Sequence, residues 1–292
     1  MNGILLIDKP EGWTSMDVCA KLRGALHEKH IGHSGTLDPM ATGLLVVLIG
    51  RATRAAQYAE AQEKTYEALL RPGIVTDTQD VSGTVLRSAP ADVSDAALED
   101  VLPRFRGEID QIPPMYSALK VNGQKLYHLA RRGREIERQP RRITIYALEQ
   151  TGRTTDGDIA LRVQCSKGTY IRTLCHDIGA ALGCGAVMSA LRRTRCGPFD
   201  LADAHTLPAA LNAAAEGSAE SLILPVETLF SGVPDERLSP AQEKVIRNGG
   251  TYSCPLPDGP YRLFGASGFL ALGAVNAGKM RGVKTFYEVE KE

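Results

Sequence analysis

Residues 32–47, GHSGTLDPMATGLLVV, contain no lysine, no arginine and a single acid, Asp38. The stretch opens on glycines and small polar residues and closes on a solid apolar run, which sets one carboxylate at the mouth of a buried strand. Such a group can take a proton, attack an electron-poor carbon or stabilise a developing cation. An aspartate after a glycine loop also serves simply as a turn or capping residue, and Asp38 alone does not decide between the two. To work as an anion in a water-poor pocket, where burial raises a carboxyl pKa, it needs a cation from elsewhere in the chain. Other chemistries find little support, because the sequence carries no His/Cys metal cluster, P-loop or dinucleotide fingerprint. Its six cysteines, without a C-x-x-C pair, read as buried thiols in a reducing compartment.

The elements that must hold this loop are legible from periodicity and punctuation. GILLIDKP reads as a buried strand stopped by Pro10, and SMDVCAKLRGALHEK as a helix with Ser15 as N-cap and Val18, Leu22, Ala25 and Leu26 on one stripe. LLVVLI and KTYEALL read as strands, TDTQDVSG as a turn-rich loop, and SDAALEDVLPRF as a helix broken at Pro103. Asn122-Gly123 marks a turn, and QKLYHLARRG a short helix ending at Gly133. RITIYALEQ and IALRVQC are expected to pair across TTDGD. The clearest helix is YIRTLCHDIGAALG, where Ile171, Leu174, Cys175, Ile178 and Leu182 share a face and Gly183 follows. The Ala-rich AALNAAAEGSAE is expected to be a solvent-facing helix or loop. Strands and helices without a regular βαβ rhythm predict an α+β fold around a mostly antiparallel mixed sheet flanked by helices. A change of composition near residues 231–240 sets off a short β-rich remainder. The expected organisation is a domain over 1–232 and a small C-terminal module over 233–292.

A chain of 292 residues, 43% hydrophobic, can bury a real core, yet apolar runs such as Leu44–Ile49 are too short to span a bilayer. The N-terminus lacks a basic leader followed by an apolar core. A cytoplasmic protein without a membrane partner is expected. Formal net charge is zero, but it is unevenly spread. Residues 131–142, RRGREIERQPRR, hold six arginines against two glutamates, and RRTR at 192–195 adds three more. A polyanion could meet a basic face on this neutral molecule; solvated surface with local ion pairs accounts for the same residues.

The motif GHSGTLDPMATGLLVV resembles the signature of the TruB-type tRNA pseudouridine synthases, and so does LLIDKPEGWTS before it. KTYEALL with TDTQDVSG, PPMYSALKVNGQKLYHLARRG, CSKGTYIRTLCHDIGAALGCGA and LRRTRCG follow in that family's order. The resemblance is dense over residues 2 to about 200 and looser toward the C-terminus, where it suggests a small RNA-binding, PUA-like module. It implies the pseudouridine synthase fold and the isomerisation of uridine 55 in the T-arm loop of tRNA, with no cofactor and no metal. It makes Asp38 the essential carboxylate and Arg172, in KGTYIRT, its distant cation. Arginine suits that task because it stays charged when buried and can grip a carboxylate with two bonds. The resemblance further places Tyr66 against the flipped uracil, Tyr170 and Leu191 in the lining of the same pocket, and His33 in the RNA-facing loop. Without it, Arg172 could pair with another acid, Tyr66 and Leu191 are ordinary core residues, and His33 is an exposed loop histidine. Lys9 and Pro10, in IDKP, resemble the family's N-terminal element, or are simply a charged strand terminus near the core; neither is expected to be catalytic.

Read this way, the basic segments contact phosphates, which gives affinity but not sequence choice, and the target base leaves its stack to reach Asp38. The partner is the tRNA T-arm, with no obligatory protein partner and a monomeric enzyme expected. Help with tRNA folding is an additional expected role. Two other functions fit part of the sequence: an RNA-binding protein that mainly remodels tRNA, and a guide-RNA-dependent relative working within a complex. An unrelated aspartate hydrolase explains only one motif.

Overall fold

The computed structural model describes residues 1–121 and 123–286. Asn122 of the expected turn and the end of the expected β-rich remainder, from Tyr287, lie outside the described residues. A ten-stranded mixed sheet organises the larger part of the chain. Across it the order is His205–Thr206, Gly3–Lys9, Thr42–Ile49, Ala186–Cys196, Lys64–Pro72, Ile159–Cys165, Arg141–Arg153 and Gly107–Gln111. The short strands Ile31–His33 and Phe199–Asp200 pair with Thr42–Ile49 and Ala186–Cys196. Only two pairings are parallel among these described strands: Gly3–Lys9 with His205–Thr206, and Ala186–Cys196 with Thr42–Ile49. The expected α+β architecture, a mostly antiparallel mixed sheet flanked by helices, is the one observed.

The apolar runs are continuous because these strands are covered on both faces. In Gly3–Lys9 and Thr42–Ile49, Ile4, Leu6, Leu44, Val46 and Leu48 pack with Phe199, Leu229 and Phe230. Leu5, Ile7, Leu45, Val47 and Ile49 pack with the helix Ser15–Leu26 through Val18 and Leu22. That helix is capped by Thr14, not Ser15. Thr14 and Asp17 form a reciprocal capping box, and Ser15 is freed for a role in the site. The Ala-rich helix Leu207–Ala215 is also not merely solvent-facing, since Leu207 and Ala210 are buried against the same layer. A third cluster joins the strands Lys64–Pro72 and Ile159–Cys165 to the helix Ile171–Ala181 through Leu70, Leu161, Val163, Leu174, Cys175 and Ile178. The expected apolar face of that helix is therefore the one buried.

Beyond residue 234 the chain forms a second, five-stranded sheet. Its order is Asp235–Arg237, Gly259–Gly265, Gly268–Asn276, Lys279–Thr285 and Thr251–Ser253, and the helix Pro240–Arg247 accompanies it. Tyr261, Leu263, Leu270, Val275 and Met280 build its own core with Ile246. Phe269 and Phe286 point the other way and meet the Phe230 ring at 6.2 and 5.9 Å.

Candidate active site

Asp38 lies in the irregular loop between the strands Ile31–His33 and Thr42–Ile49, and three buried side chains fasten that loop. Ser15 Oγ accepts from the Leu37 N–H at 2.9 Å and donates to the Leu37 carbonyl at 3.3 Å. Lys9 Nζ donates to the carbonyls of Pro10, Trp13 and Pro39 at 2.9, 2.7 and 3.3 Å. Burial pulls the Lys9 ammonium down to about 8, against the attraction of Asp38 and Glu11. Arg193, 1% exposed, donates to the Leu44 carbonyl at 2.7 Å and the Gly35 carbonyl at 3.3 Å. Residues on both sides of Asp38 are thereby fixed, and none of these hydrogen bonds occupies its carboxylate.

The helix Ile171–Ala181 brings Arg172 to that carboxylate across 134 positions of sequence. Arg172 Nε meets Asp38 Oδ2 at 2.9 Å, and Nη2 stands 3.5 Å from Oδ1. The guanidinium is shared: Nη2 also donates to the Tyr116 carbonyl at 2.9 Å, and Nη1 reaches the Thr78 carbonyl at 3.3 Å and Asp80 Oδ2 at 3.5 Å. Asp80 is held in turn by Thr78 Oγ1 and by the amide and hydroxyl of Ser82. The two acids differ in access. The Asp80 side chain is 5% exposed and that of Asp38 33% exposed, so of the two only Asp38 can meet an incoming group. Desolvation pushes the Asp38 carboxyl above the usual carboxylate range, Arg172 pulls it down, Asp80 adds to the rise, and Lys9 weakly opposes it. The net direction is upward because desolvation outweighs the attraction of the guanidinium, which Asp38 shares with Asp80.

Tyr66 and Leu191 line the adjoining interior. Tyr66 stands opposite Arg193 and Leu191 opposite Ala68 in the antiparallel pairing of their strands. Both belong to the cluster that contains Leu37 and Ala41 from the Asp38 loop. Burial drives the Tyr66 phenol up to about 12, although Arg193 donates to it and pulls the other way. The phenol is neutral at physiological pH, and the residue is buried. Tyr170 immediately precedes the Arg172 helix. Burial raises its phenol, while Ser117, Arg141 and Arg172 pull it down. His33 ends its short strand, and among the described residues it makes no hydrogen bond or ion pair with Asp38 or Arg172. Burial and Arg193 hold it below the usual imidazole value, against Glu60, so it is neutral near pH 7.

The structure thus joins Asp38 directly to Arg172, sets Tyr170 at the start of the Arg172 helix, and buries Tyr66 and Leu191 in the cluster they share with Leu37 and Ala41; His33 ends the strand that leads into the Asp38 loop. It also corrects the reading of RRTR as phosphate contacts. Arg193 is interior, Arg192 pairs with Asp8 at 2.8 Å, and of the three only Arg195 is largely exposed. Asp80, Ser15 and Gln111 were missed. Asp80 stood in plain view in TDTQDVSG, where the density of small polar residues around it reads as a turn. Gln111 carried a signal, since alternation in GEIDQ puts it on the inward face with Ile109.

Solved structures share this frame. A Cbf5–Nop10–Gar1 complex contains a chain that superposes with a TM-score of 0.75 at 28% identity, over 98% of this chain and 85% of that one. The Cbf5 of an archaeal Nop10–Cbf5 complex gives 0.73 at 26% identity, over 99% and 87%. Fold and site define a pseudouridine synthase, an isomerase. Family models sharpen the assignment: residues 23–171 match the TruB family pseudouridylate synthase N-terminal domain, and residues 172–231 the tRNA pseudouridylate synthase B C-terminal domain. A tRNA pseudouridine synthase B of Azoarcus sp. strain BH72 is 48% identical over 96% of this chain and 93% of its own length. One of Pseudomonas fluorescens strain Pf0-1 is 46% identical over 87% and 84%. The chain belongs to the TruB family of pseudouridylate synthases.

Proposed function

We propose that this enzyme isomerises uridine 55 in the T-arm loop of tRNA to pseudouridine, with Asp38 as the essential carboxylate and Arg172 as its partner. The observation that carries the reading is the 2.9 Å contact between those two side chains at an accessible carboxylate. The target nucleotide leaves its stack and enters beside Asp38, with Tyr66 offering a face for the uracil and Leu191 and Tyr170 closing the sides. The C1′–N1 bond breaks as positive charge grows on the sugar, where the carboxylate stabilises it, attacks it or takes a sugar proton. The ring turns, C5 bonds to C1′, the C5 proton leaves and N1 gains one. His33 contacts or displaces the target loop.

Arg131, Arg132 and Arg134 are exposed and, among the described residues, form no ion pair with an acid; they are the phosphate-facing cations of this reading. On this reading residues 233–292 serve as an RNA-binding module in a monomeric, cytoplasmic enzyme that needs no protein partner. No helix among the described residues is long and apolar enough to cross a membrane. The decisive experiment supplies an unmodified T-arm stem-loop, without other proteins, metal or cofactor, and measures pseudouridine. Native protein converts it, while Asp38→Asn binds it and leaves it unchanged; turnover by that variant refutes the assignment. Comparing tRNA refolding by native protein and Asp38→Asn tests the additional folding role, which predicts equal refolding by both.

A further inference from the structure

We propose that Gln111 is a positioning residue for the isomerisation: its buried amide fixes the backbone of Tyr170 and thereby the approach of Arg172 to Asp38. Gln111 is 2% exposed at the end of the strand Gly107–Gln111. Its Oε1 accepts from the Tyr170 N–H at 2.8 Å, and its Nε2 donates to the Tyr170 carbonyl at 3.0 Å. The side chain thus pairs with one residue as a neighbouring strand would, from 59 positions away.

Tyr170 needs that help. It is the N-cap of the helix Ile171–Ala181 in an extended conformation, and its own side chain makes no capping bond. Its carbonyl already receives the Leu174 N–H at 3.0 Å, so Gln111 takes the remaining acceptor site and supplies the partner of the amide. Without it a half-buried N–H loses its partner, and the first turn of the helix loses its anchor. Arg172 lies in that turn, two residues on, and its grip on Asp38 depends on where the turn begins. Gln111 also stands opposite Arg141 in the sheet, so these two residues are the feet of the excursion 112–140 that carries the exposed arginines. The excursion itself touches Arg172 through the Tyr116 carbonyl, which accepts from Nη2 at 2.9 Å. Gln111 therefore ties the root of the arginine-rich segment to the pair at the reaction centre.

This inference rests on the reading of Asp38 and Arg172 as the reacting pair, and the controls separate the two. Gln111→Met keeps the volume and removes both hydrogen bonds; Gln111→Glu keeps the acceptor for the Tyr170 N–H but, when ionised, not the donor. Single-turnover rates on a T-arm stem-loop are measured beside stem-loop affinity and thermal melting. The expected result is a fall in the rate constant of roughly ten- to a hundredfold for Gln111→Met, the range for a small misplacement of reacting groups. Gln111→Glu is intermediate, and affinity for RNA is unchanged in both. A role confined to stability would lower the melting temperature and leave the rate of the folded protein intact. A native rate in Gln111→Met, or a loss carried entirely by weaker binding, overturns the proposal. Turnover by Asp38→Asn in the same assay overturns instead the reading beneath it.

Discussion

At the scale of single residues, the site turns on a guanidinium that must satisfy more than one anion. Arg172 serves Asp38 and Asp80 together, and Asp80 adds to the rise of the Asp38 carboxyl. A carboxyl whose pKa is raised takes up its proton at higher pH than an ordinary aspartate, whose value is about 3.9. If the ionised form is the reacting one, activity is lost as pH falls through that raised value, with a one-proton slope. The acid limb of the rate profile is therefore expected above the ordinary carboxylate range, and a limb at or below that range would contradict the burial account. Asp80→Asn makes a sharper test because it acts on two quantities in different ways. Removing its charge lets the Asp38 carboxyl fall, so the acid limb moves to lower pH. It also frees one end of Arg172, so the plateau rate drops by roughly tenfold or more. A lower plateau with an unmoved limb would mean that Asp80 only holds Arg172 in place.

At the scale of elements, the Asp38 loop is held by the strand Ala186–Cys196, which pairs with Thr42–Ile49 where the loop ends. The Gly43 φ of +99° is one that side chains disfavour, and a Cβ there would lie 2.3 Å from the Arg193 carbonyl oxygen. Gly43→Ala is expected to cost about 2–4 kcal/mol of unfolding free energy, from strain and overpacking together. Denaturant titration reads this directly, and a native midpoint would rule out so close an approach. The glycine was visible in the sequence, but its reason was not, because the other backbone comes from 150 residues later. The same division runs through the whole site. Helix Ile171–Ala181 was legible because its apolar residues recur at helical spacing, and the strand Thr42–Ile49 because its run is unbroken. The pairing of Asp38 with Arg172 came from the family resemblance alone, since no local pattern links positions 134 apart. Arg193 was misread because a run of cations looks like surface, whereas three backbone and phenol oxygens make an interior place for one. Asp80 and Gln111 escaped for a related reason: each gains its role only when a distant loop or helix docks on it.

At the scale of the whole molecule, the charge is balanced in sum and sorted in space. The exposed Arg131, Arg132 and Arg134 lack acidic partners among the described residues, whereas Arg138 is tied to Glu135 at 2.7 Å and Arg142 lies near Glu108 and Asp110. Phosphate contacts release counterions, so affinity for a T-arm stem-loop should fall linearly with salt on logarithmic axes, each contact adding about one to the slope. Changing Arg132 and Arg134 together to Gln is expected to lower that slope by about 2 and to weaken binding at low salt. Neither change touches the Asp38–Arg172 pair, so the single-turnover rate at saturating RNA should stay native. Arg138→Gln is the matched control: its guanidinium is already engaged by Glu135 and the Pro113 carbonyl, and its removal should leave the slope nearly unchanged. Equal slopes for the native protein and the double variant would show that this excursion does not meet the RNA backbone. The phosphate-binding face would then have to lie elsewhere, with the basic strand Lys279–Thr285 of the second sheet the next surface to probe.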